Sequence, residues 1–344
     1  MKNDTTQLIR EQAPLILEAI KKSRSILLHC HPSPDPDSVG STLAMKYALA
    51  QLGKQATIIQ GDSPIPRAFM HFPGAESIMQ KNFFEIDLAQ FDLFIVLDGG
   101  SLQMISRKGD VAFPSTLDTI VIDHHRTNAQ FGRINLVETS YPANCQVLFD
   151  LFIEWGIALT PEIATNLFMG IYSDTGGFKY AGVSSHTFEV ASKLVPLIAN
   201  LPVVVSTMQS SNTAGFLAFQ GMAFKNIQTY LGGVFAVARV TQAEFAAGGY
   251  EGKVFESDDI RPSEVSSYMR TVPEWQITAC AVETTPGTTK FSFRAGSKNL
   301  YDVSKLAASL GGGGHMYAAG LVLAMPIGAA IDAVVAKAKE LYNL

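Results

Sequence analysis

The sequence contains few cysteines. Cys30, Cys145 and Cys280 are the only three among 344 residues, and no two of them form a CxxC pair. This spacing gives no support to a zinc knuckle or to a disulfide framework. A chain with so little cysteine fits a reducing compartment, and we expect the cytoplasm.

Long hydrophobic runs are also absent. The longest uncharged, largely apolar stretch covers residues 318–331 and contains Pro326, whereas a membrane-spanning helix needs about 20 apolar residues. The N-terminal segment has no apolar core flanked by basic residues, so it does not resemble a signal peptide. We therefore expect no membrane contact.

The chain has no excess of positive charge. Its 26 lysines and arginines are outnumbered by 31 aspartates and glutamates, and the net charge is −5. This balance argues against a broad basic groove for long duplex nucleic acid but leaves room for a small anion pocket. With 47% hydrophobic residues, the chain is long enough for two domains with separate cores.

Apolar strands alternate with helices over the first part of the chain. The pattern predicts strands at 25–30, 56–60, 93–98 and 119–123, and helices at 42–52, 143–155 and 162–171. Buried strands that alternate with helices indicate an α/β fold, with a mainly parallel sheet covered by helices on both faces.

The pattern changes after about residue 200. Strands are predicted at 234–240, 275–282 and 290–295, and a helix with Asp302 near its N-cap at 302–310. We predict a domain over residues 1–200, a helical linker over 201–225 and a smaller C-terminal α/β domain over 226–344.

A cluster of metal-ligand residue types follows the first predicted strand. His31, Asp35 and Asp37 are interleaved with prolines at positions 32, 34 and 36. Because these prolines fix φ and disfavour helix, we expect the three side chains to project from a stiff turn and not to serve as regular helix caps. Two carboxylates this close repel each other unless a cation lies between them. The segment therefore predicts half of a metal site.

Three further segments supply donors of the same kind. Asp98 ends one apolar strand, the Asp-His-His triplet at 123–125 ends another, and Asp174 lies where a helix runs into a glycine turn. Ligands of open parallel sheets bind outside the carboxyl ends of the strands, so these segments can converge there. Carboxylate and imidazole donors suit Mn²⁺ or Mg²⁺. The donors are too many for one ion, and two ions that share a carboxylate could activate water and clamp a phosphoryl group.

Simpler interpretations compete at single positions. A strand-end aspartate such as Asp98 usually caps a helix or forms a turn. We expect His29 to be a packed or hydrogen-bonded strand residue, and His71 and His186, without carboxylate neighbours in sequence, to be surface or loop residues. The metal interpretation depends on the joint occurrence of the four segments.

A glycine run near the C-terminus indicates a second site. Residues 311–314 are glycines and precede His315. Glycines let backbone N–H groups approach an anion, and the start of a following helix would add a favourable field. Arg294, at the end of a predicted strand, could pair with phosphate in a bidentate manner. A flexible turn and a solvated arginine remain the simpler alternatives.

Together these motifs resemble the DHH phosphoesterase family, which is named for the triplet seen here at 123–125. The four donor segments occur in the order of the family's four motifs, and residues 311–320 resemble the signature of the DHH-associated C-terminal domain. The two-domain length is similar to that of the bacterial oligoribonuclease and pAp-phosphatase branch, often called nanoRNase.

The resemblance implies a metal-binding role for six residues. The first ion would be bound by His31, Asp35 and Asp98. The second would be bound by Asp37, Asp98, His124 and Asp174, with Asp98 as the bridge. The implied cofactor is a pair of Mn²⁺ ions, with Mg²⁺ or Co²⁺ as alternatives.

The resemblance also implies how substrate is handled. Asp123 would orient the histidine pair, and His125 would face the scissile phosphate beside Asp98. The substrate's terminal phosphate or backbone would be held by Arg294, Gly313, Gly314 and His315.

The implied activity is hydrolysis of short oligonucleotides or of pAp, and a homodimer is compatible with the resemblance. Asp98 is followed by Gly99, Gly100 and Ser101, where many relatives carry a small residue and then further polar or acidic ones, and this departure leaves the substrate open. Hydrolysis of cyclic di-AMP or pApA is one alternative. A nucleotide-binding regulatory module that has lost catalysis is another.

Overall fold

The computed structural model describes residues 6–180, 182–209, 212–247, 259–296 and 300–344. The chain divides into two compact units, Met1–Ser211 and Asn212–Leu344. The elements of the first unit are α1 (Gln7–Lys22), β1 (Ile26–His29), α2 (Pro36–Gln51), β2 (Ala56–Ile59), β3 (Ile78–Met79), β4 (Leu93–Leu97), β5 (Asp118–Asp123), β6 (Ile134–Val137), α3 (Asn144–Glu154), α4 (Pro161–Asp174), α5 (Ser185–Leu194) and α6 (Leu201–Gln209).

The first unit contains a six-stranded parallel sheet with the strand order β3-β2-β1-β4-β5-β6. The strand order reverses between β1 and β4, and such a switch point opens a crevice at the carboxyl ends of the two strands. The loops that follow β1 and β4 carry His31 and Asp98. The fold therefore places two of the predicted ligand segments at the crevice.

Alternate residues of the buried strands face opposite sides of this sheet. Ile95 and Leu97 of β4 pack into the larger core, which also contains the apolar faces of α1 to α4. Phe94 and Val96 pack on the other face, in a smaller core closed by short 3₁₀ helices and loops such as Phe83–Glu85. The predicted α/β class with a parallel sheet between helical layers is confirmed.

The N-terminus of α2 differs from the sequence-based expectation. The helix begins at Pro36, and the Asp35 side chain caps it by accepting a hydrogen bond from the Ser38 backbone N–H at 2.8 Å. The expectation that the prolines would exclude a helix here was wrong. Proline is well suited to the first helical position, because its φ is already helical and its missing N–H has no partner to lose there.

The second unit contains a mixed six-stranded sheet with the order β11-β12-β10-β9-β8-β7. Only β8 and β9 pair in parallel. The elements of this unit are α7 (Ala214–Lys225), β7 (Gln228–Tyr230), β8 (Phe235–Val240), α8 (Gln242–Ala247), α9 (Pro262–Met269), β9 (Ile277–Thr285), β10 (Thr288–Ala295), α10 (Val303–Ala308), β11 (Gly313–His315), β12 (Ala318–Leu323) and α11 (Ile327–Tyr342).

The two units divide inside the segment 201–225 that we predicted to be a linker. Helix α6 belongs to the first unit and α7 to the second. Asp302 caps α10 through the Ser304 N–H, as its position predicted. Among the described residues, no single helix is long and apolar enough to cross a membrane; one pair, Ser185–Leu197 with Leu201–Thr207, reaches the needed length and composition only across a 115° bend.

Candidate metal centre

The first donor group surrounds His31, which is 2% exposed. Its Nδ1 lies 3.4 Å from Oδ2 of Asp35, and its Nε2 lies 3.4 Å from Oδ2 of Asp98 and bonds the Asp98 carbonyl oxygen. Burial lowers the pKa of His31, but Asp98 and Asp35 outweigh burial and raise it to about 9. In this arrangement the imidazolium occupies the position between two carboxylates that a metal cation would otherwise take.

The second donor group surrounds His124. Its Nε2 lies 3.8 Å from Oδ2 of Asp37 and 3.6 Å from Oδ2 of Asp174. The same nitrogen is 3.3 Å from Oδ1 of Asp98. Asp98 therefore contacts both groups, one through each carboxylate oxygen.

Asp98 holds its bridging position with a strained backbone. Its φ is 59°, in the left-handed region that residues other than glycine rarely adopt, although aspartate and asparagine tolerate it best. The side chain is almost fully buried. Such strain is characteristic of sites where the surrounding structure fixes a functional side chain.

The donor atoms fit divalent cations. Within each group, one ligand atom per residue lies within 4.8 Å of the others, both for His31, Asp35 and Asp98 and for Asp37, His124 and Asp174. Oδ1 of Asp98 and Nε2 of His124 are buried and have no hydrogen-bond partner among the described residues. A buried polar atom without a partner is costly, and coordination to a cation would remove that cost.

The pKa shifts of the clustered carboxyl groups also favour a bound cation. Burial, followed by the charges of Asp37, Asp35 and Asp174, raises the pKa of Asp98 well above its ordinary value, against the opposing effect of His31. Burial and the charges of Asp37 and Asp35 raise the pKa of Asp174 to about 8. Carboxyl groups gathered at this density are held partly protonated, and a bound cation would displace those protons.

Backbone amides from α3 hold Asp37. The N–H groups of Asn144 and Cys145 donate to its two carboxylate oxygens at 2.6 and 2.9 Å. These amides belong to the first turn of α3, where the positive end of the helix dipole favours a negative charge. The carboxylate of Asp37 is therefore fixed in orientation.

Two glycines allow α2 and α4 to approach closely at this point. A Cβ atom at Gly40 would lie 2.5 Å from the carbonyl oxygen of Asn166. A Cβ atom at Gly170 would lie 2.6 Å from Oδ1 of Asp37 and would overlap the sulfur of Cys145. The glycines thus bring Asp37 of α2 close to Asp174, the last residue of α4.

His124 is oriented by a backbone contact. Its Nδ1 lies 3.3 Å from the carbonyl oxygen of Tyr141. A carbonyl can only accept, so Nδ1 is the donor of this bond, and Nε2 is the ring nitrogen that faces the carboxylates. This is the orientation that a metal-binding histidine needs.

His125 belongs to a hydrogen-bonded chain next to the donor groups, and its Nδ1 also lies 3.7 Å from Oδ1 of Asp98. Its Nδ1 lies 2.7 Å from Oδ1 of Asp123, and Asn128 Nδ2 donates to the other oxygen at 2.6 Å. Burial tends to raise the pKa of Asp123, but the bonds from His125 and Asn128 outweigh it and lower that pKa. The His125 side chain is 42% exposed, whereas that of His124 is only 11% exposed, so His125 can meet a substrate.

Sequence reasoning missed Asn144, a fully buried residue. In the amide orientation that gives both side-chain atoms a hydrogen-bond partner, its oxygen accepts from the Asp98 N–H at 3.2 Å and from Ser41 Oγ. Its nitrogen then donates to the Ile122 carbonyl at 3.1 Å. Asn144 therefore ties the ends of β4 and β5 together. The available signal was a polar residue at the start of an apolar helix.

Two histidines outside the donor groups also have defined surroundings. His29 is 1% exposed, its Nδ1 bonds the Cys30 carbonyl, and its ring packs against Phe94, so it is a packed strand residue. Burial lowers its pKa to about 3. The expectation for His186 was wrong, because its Nε2 lies 2.8 Å from Oδ2 of the buried Asp150, a partner 36 residues away in sequence.

The remaining predicted site residues lie in the second unit. Arg294 of β10 pairs with Ala318 of β12, which pairs with His315 of β11, so the side chains of Arg294 and His315 share one face of the sheet. Arg294 donates to Ser267 Oγ at 3.0 Å and to the Phe293 carbonyl at 2.9 Å. Gly313, Gly314 and His315 are exposed.

The expectation that a helix follows the glycine run was wrong. The last two glycines of the run, Gly313 and Gly314, instead begin the edge strand β11, which pairs with the small residues of β12. Gly314 has a φ of 144°, and a Cβ atom there would lie 2.5 Å from the Ala318 carbonyl oxygen. The glycine therefore serves close strand pairing at this position.

A parallel α/β sheet with carboxylate and imidazole donor groups at its switch point is an arrangement suited to phosphoester hydrolysis. The family described as "DHH family, N-terminal domain" matches residues 25–171. The resemblance to this family that is seen in the sequence is confirmed over this part of the chain.

Curated relatives match most of the chain. The bifunctional oligoribonuclease and PAP phosphatase NrnA of Thermus thermophilus is 28% identical, over 91% of this chain and 89% of the relative. A probable bifunctional oligoribonuclease and PAP phosphatase NrnA of Streptococcus mutans is 26% identical, over 89% and 91%.

Solved structures share the fold. An exopolyphosphatase-related protein from Bacteroides fragilis superimposes with a TM-score of 0.84 at 21% identity, covering 100% of both chains. RecJ from Thermus thermophilus, solved in complex with Mn²⁺, gives a TM-score of 0.51 at 16% identity, over 98% of this chain and 55% of RecJ.

Proposed function

We propose that the chain is a cytoplasmic, Mn²⁺-dependent phosphoesterase that uses two metal ions to hydrolyse short oligonucleotides, pAp or both. The observation that carries this proposal is the sharing of Asp98 between the two donor groups. The names of the Thermus and Streptococcus relatives support the choice of substrate. Mg²⁺ or Co²⁺ could take the place of Mn²⁺.

The six donor residues would hold the two ions. His31, Asp35 and Asp98 would bind one, and Asp37, Asp98, His124 and Asp174 the other. When bound, the ions would supply an activated water and stabilise charge on the phosphoryl oxygens. The Tyr141 carbonyl and the α3 amides would hold His124 and Asp37 in orientation during the reaction, and the Tyr141 contact, made through Nδ1 of His124, would leave Nε2 for the ion.

His125 would act on the leaving group. Asp123 holds the proton on Nδ1, so Nε2 is the ring nitrogen available to substrate. Nε2 would position the scissile phosphate and donate a proton to the departing oxygen when the imidazole is charged. The carboxylate of Asp123 would stabilise that charged form.

The second unit would hold the end of the substrate. Arg294, Gly313, Gly314 and His315 offer a guanidinium, backbone N–H groups and an imidazole for a terminal phosphate. Recognition of an end agrees with a net charge of −5, which disfavours long duplexes. We expect Arg294→Ala to raise KM with little change in kcat, and an unchanged KM would remove this residue from the site.

The proposal is tested with purified protein and end-labelled RNA of two to five nucleotides. With Mn²⁺, the protein should release mononucleotides and should convert pAp to AMP and phosphate. The matched control is Asp98→Asn, which keeps the side-chain volume. Absence of both activities in a folded protein with bound Mn²⁺ would contradict the proposal; faster cleavage of cyclic di-AMP or pApA would redirect the substrate assignment.

A further inference from the structure

The loop that follows Asp174 has an unusual backbone. Gly176, Gly177 and Phe178 have consecutive φ values of 58°, 69° and 64°. Two glycines adopt this left-handed conformation easily, but phenylalanine rarely does. Residues strained in this way cluster at ligand-binding and catalytic sites. The backbone of this loop is therefore strained, and its conformation fixes the position of the side chains that follow Asp174.

One of those side chains is the ring of Tyr180, which lies flat on Gly176. A Cβ atom at Gly176 would be 2.6 Å from both Cε1 and Cε2 and slightly closer to Cζ. A Cβ atom in the plane of the ring could not be this close to Cζ, Cε1 and Cε2 at once, so its position lies above the ring plane. One face of Tyr180 therefore covers the glycine, and a side chain at position 176 would displace it.

The other face of Tyr180 is open. The residue is 57% exposed, although a large aromatic side chain normally gains by burial. Gly176 is two residues from Asp174, so their Cα atoms are at most about 7.6 Å apart. An aromatic face held in a fixed orientation thus lies beside the candidate metal centre, and the exposed Lys179 precedes it.

We propose that Tyr180 stacks on a nucleobase of the substrate whose phosphate lies at the metal centre. This inference rests on the proposed function and adds a base subsite to it. Aromatic stacking accepts any base because each has a π face, so the subsite would favour nucleotides over base-free phosphoesters without selecting a sequence. The glycine support keeps the ring pre-oriented, which lowers the entropic cost of stacking.

The test is fluorescence of a 2-aminopurine dinucleotide titrated with protein in the presence of Ca²⁺, under conditions that are checked for absence of cleavage. Stacking quenches 2-aminopurine, so the wild-type protein should quench it. Tyr180→Ala should weaken binding by about fivefold or more, since base stacking is worth about 1–3 kcal/mol. Tyr180→Phe, which retains the ring, should bind within about twofold of wild type.

Phe84→Ala is the matched control. Phe84 is 46% exposed, and its ring also lies against a glycine, with Cζ 3.2 Å from a Cβ placed at Gly109. It belongs to a 3₁₀ helix outside the four donor segments. Its removal should leave quenching and affinity unchanged. An abasic dinucleotide should bind wild type and Tyr180→Ala equally.

Failure of the two proposals can be told apart. If wild type cleaves dinucleotides and Tyr180→Ala binds and quenches as wild type does, stacking is refuted while the proposed function stands. If wild type neither binds nor cleaves any dinucleotide, both fail. A folded Tyr180→Ala variant whose sedimentation shows loss of a dimer would assign the ring to an interface between two copies and also refute stacking.

Discussion

Nε2 of His124 lies 3.3 Å from Oδ1 of Asp98, and both atoms are buried without a hydrogen-bond partner among the described residues. Each atom offers a lone pair that a cation could accept. The pair lies where the two donor groups meet. A cation coordinated by both atoms would give each of them a partner, and the following predictions depend on it.

Asp98→Asn should have opposite effects on activity and on stability. The substitution keeps the left-handed backbone accessible and removes only the charge. Outer-shell partners of metal ligands are worth about 10–100-fold in affinity or activity, so loss of the shared ligand should lower kcat/KM by more than about 100-fold.

The metal-free variant should be more stable than wild type at pH 7. Burial and neighbouring carboxylates raise the pKa of Asp98, so ionisation of this residue favours the unfolded chain. Thermal unfolding in EDTA measures the effect. Near-wild-type turnover, or a lower melting temperature in EDTA, would argue against a shared and electrostatically crowded carboxylate.

The stability of the metal-free protein should decrease as pH rises. The folded-state pKa of Asp174 is raised from 3.8 to about 8 and that of His31 from 6.5 to about 9. Both groups bind protons more tightly when folded, so the stability they contribute is present below the unfolded pKa and is lost as pH rises through the folded one. We expect the melting temperature in EDTA to fall between about pH 6.5 and pH 9, because at lower pH the buried His29, with its pKa lowered to about 3, contributes with the opposite sign.

Saturating Mn²⁺ should reverse this trend, because metal binding displaces the protons and strengthens with pH. The comparison needs only unfolding curves at several pH values with EDTA or with Mn²⁺. Identical pH profiles in the two conditions would contradict the coupling of metal and protons at this centre.

Gly170→Ala should weaken metal binding from a position that bears no donor atom. The new methyl group would press on Oδ1 of Asp37 and on Cys145, and overpacking of this kind costs about 1–3 kcal/mol of stability.

The matched control is Gly221→Ala in α7, where nothing lies within 4 Å of the added methyl. That change should stabilise its helix by about 0.5–1 kcal/mol. Calorimetric Mn²⁺ titration of both variants separates the outcomes: equal affinities would show that the close approach of α2 and α4 does not set the position of Asp37.

Asp123→Asn should slow turnover while leaving metal content intact. Asp123 bonds Nδ1 of His125 and so orients the ring that would donate a proton to the leaving oxygen. We expect kcat to fall by about 10–100-fold, the range found for partners that orient a ligand or a catalytic group. Metal analysis and kcat against pH are the measurements. A loss of bound Mn²⁺ equal to the loss of activity would instead make Asp123 a metal ligand.

The strands and their terminal donors could be predicted from sequence because that information is local. Asp98 comes directly after an apolar strand, and Asp123 is the last residue of another. The geometry of a parallel sheet brings such strand ends together. The prediction for the start of α2 was wrong because proline was treated only as a helix breaker. Asp35 supplies the cap that makes Pro36 a favourable first residue.

The residues that hold the donors could not be found in this way. The amides of Asn144 and Cys145 reach Asp37 across more than 100 residues of sequence, and His186 reaches Asp150 from another helix. These contacts depend on how α2, α3 and α5 pack. No local pattern in the sequence encodes that packing. The end of the glycine run, Gly313 and Gly314, likewise forms a strand because it pairs with β12.

Anomalous diffraction at the manganese edge, from crystals grown with Mn²⁺, tests the central claim most directly. We predict two anomalous peaks at the switch point between β1 and β4, one beside His31 and Asp35, the other beside His124 and Asp174, and both within coordination distance of the Asp98 carboxylate. No peak at that crevice, or a single peak that does not contact Asp98, would contradict the account.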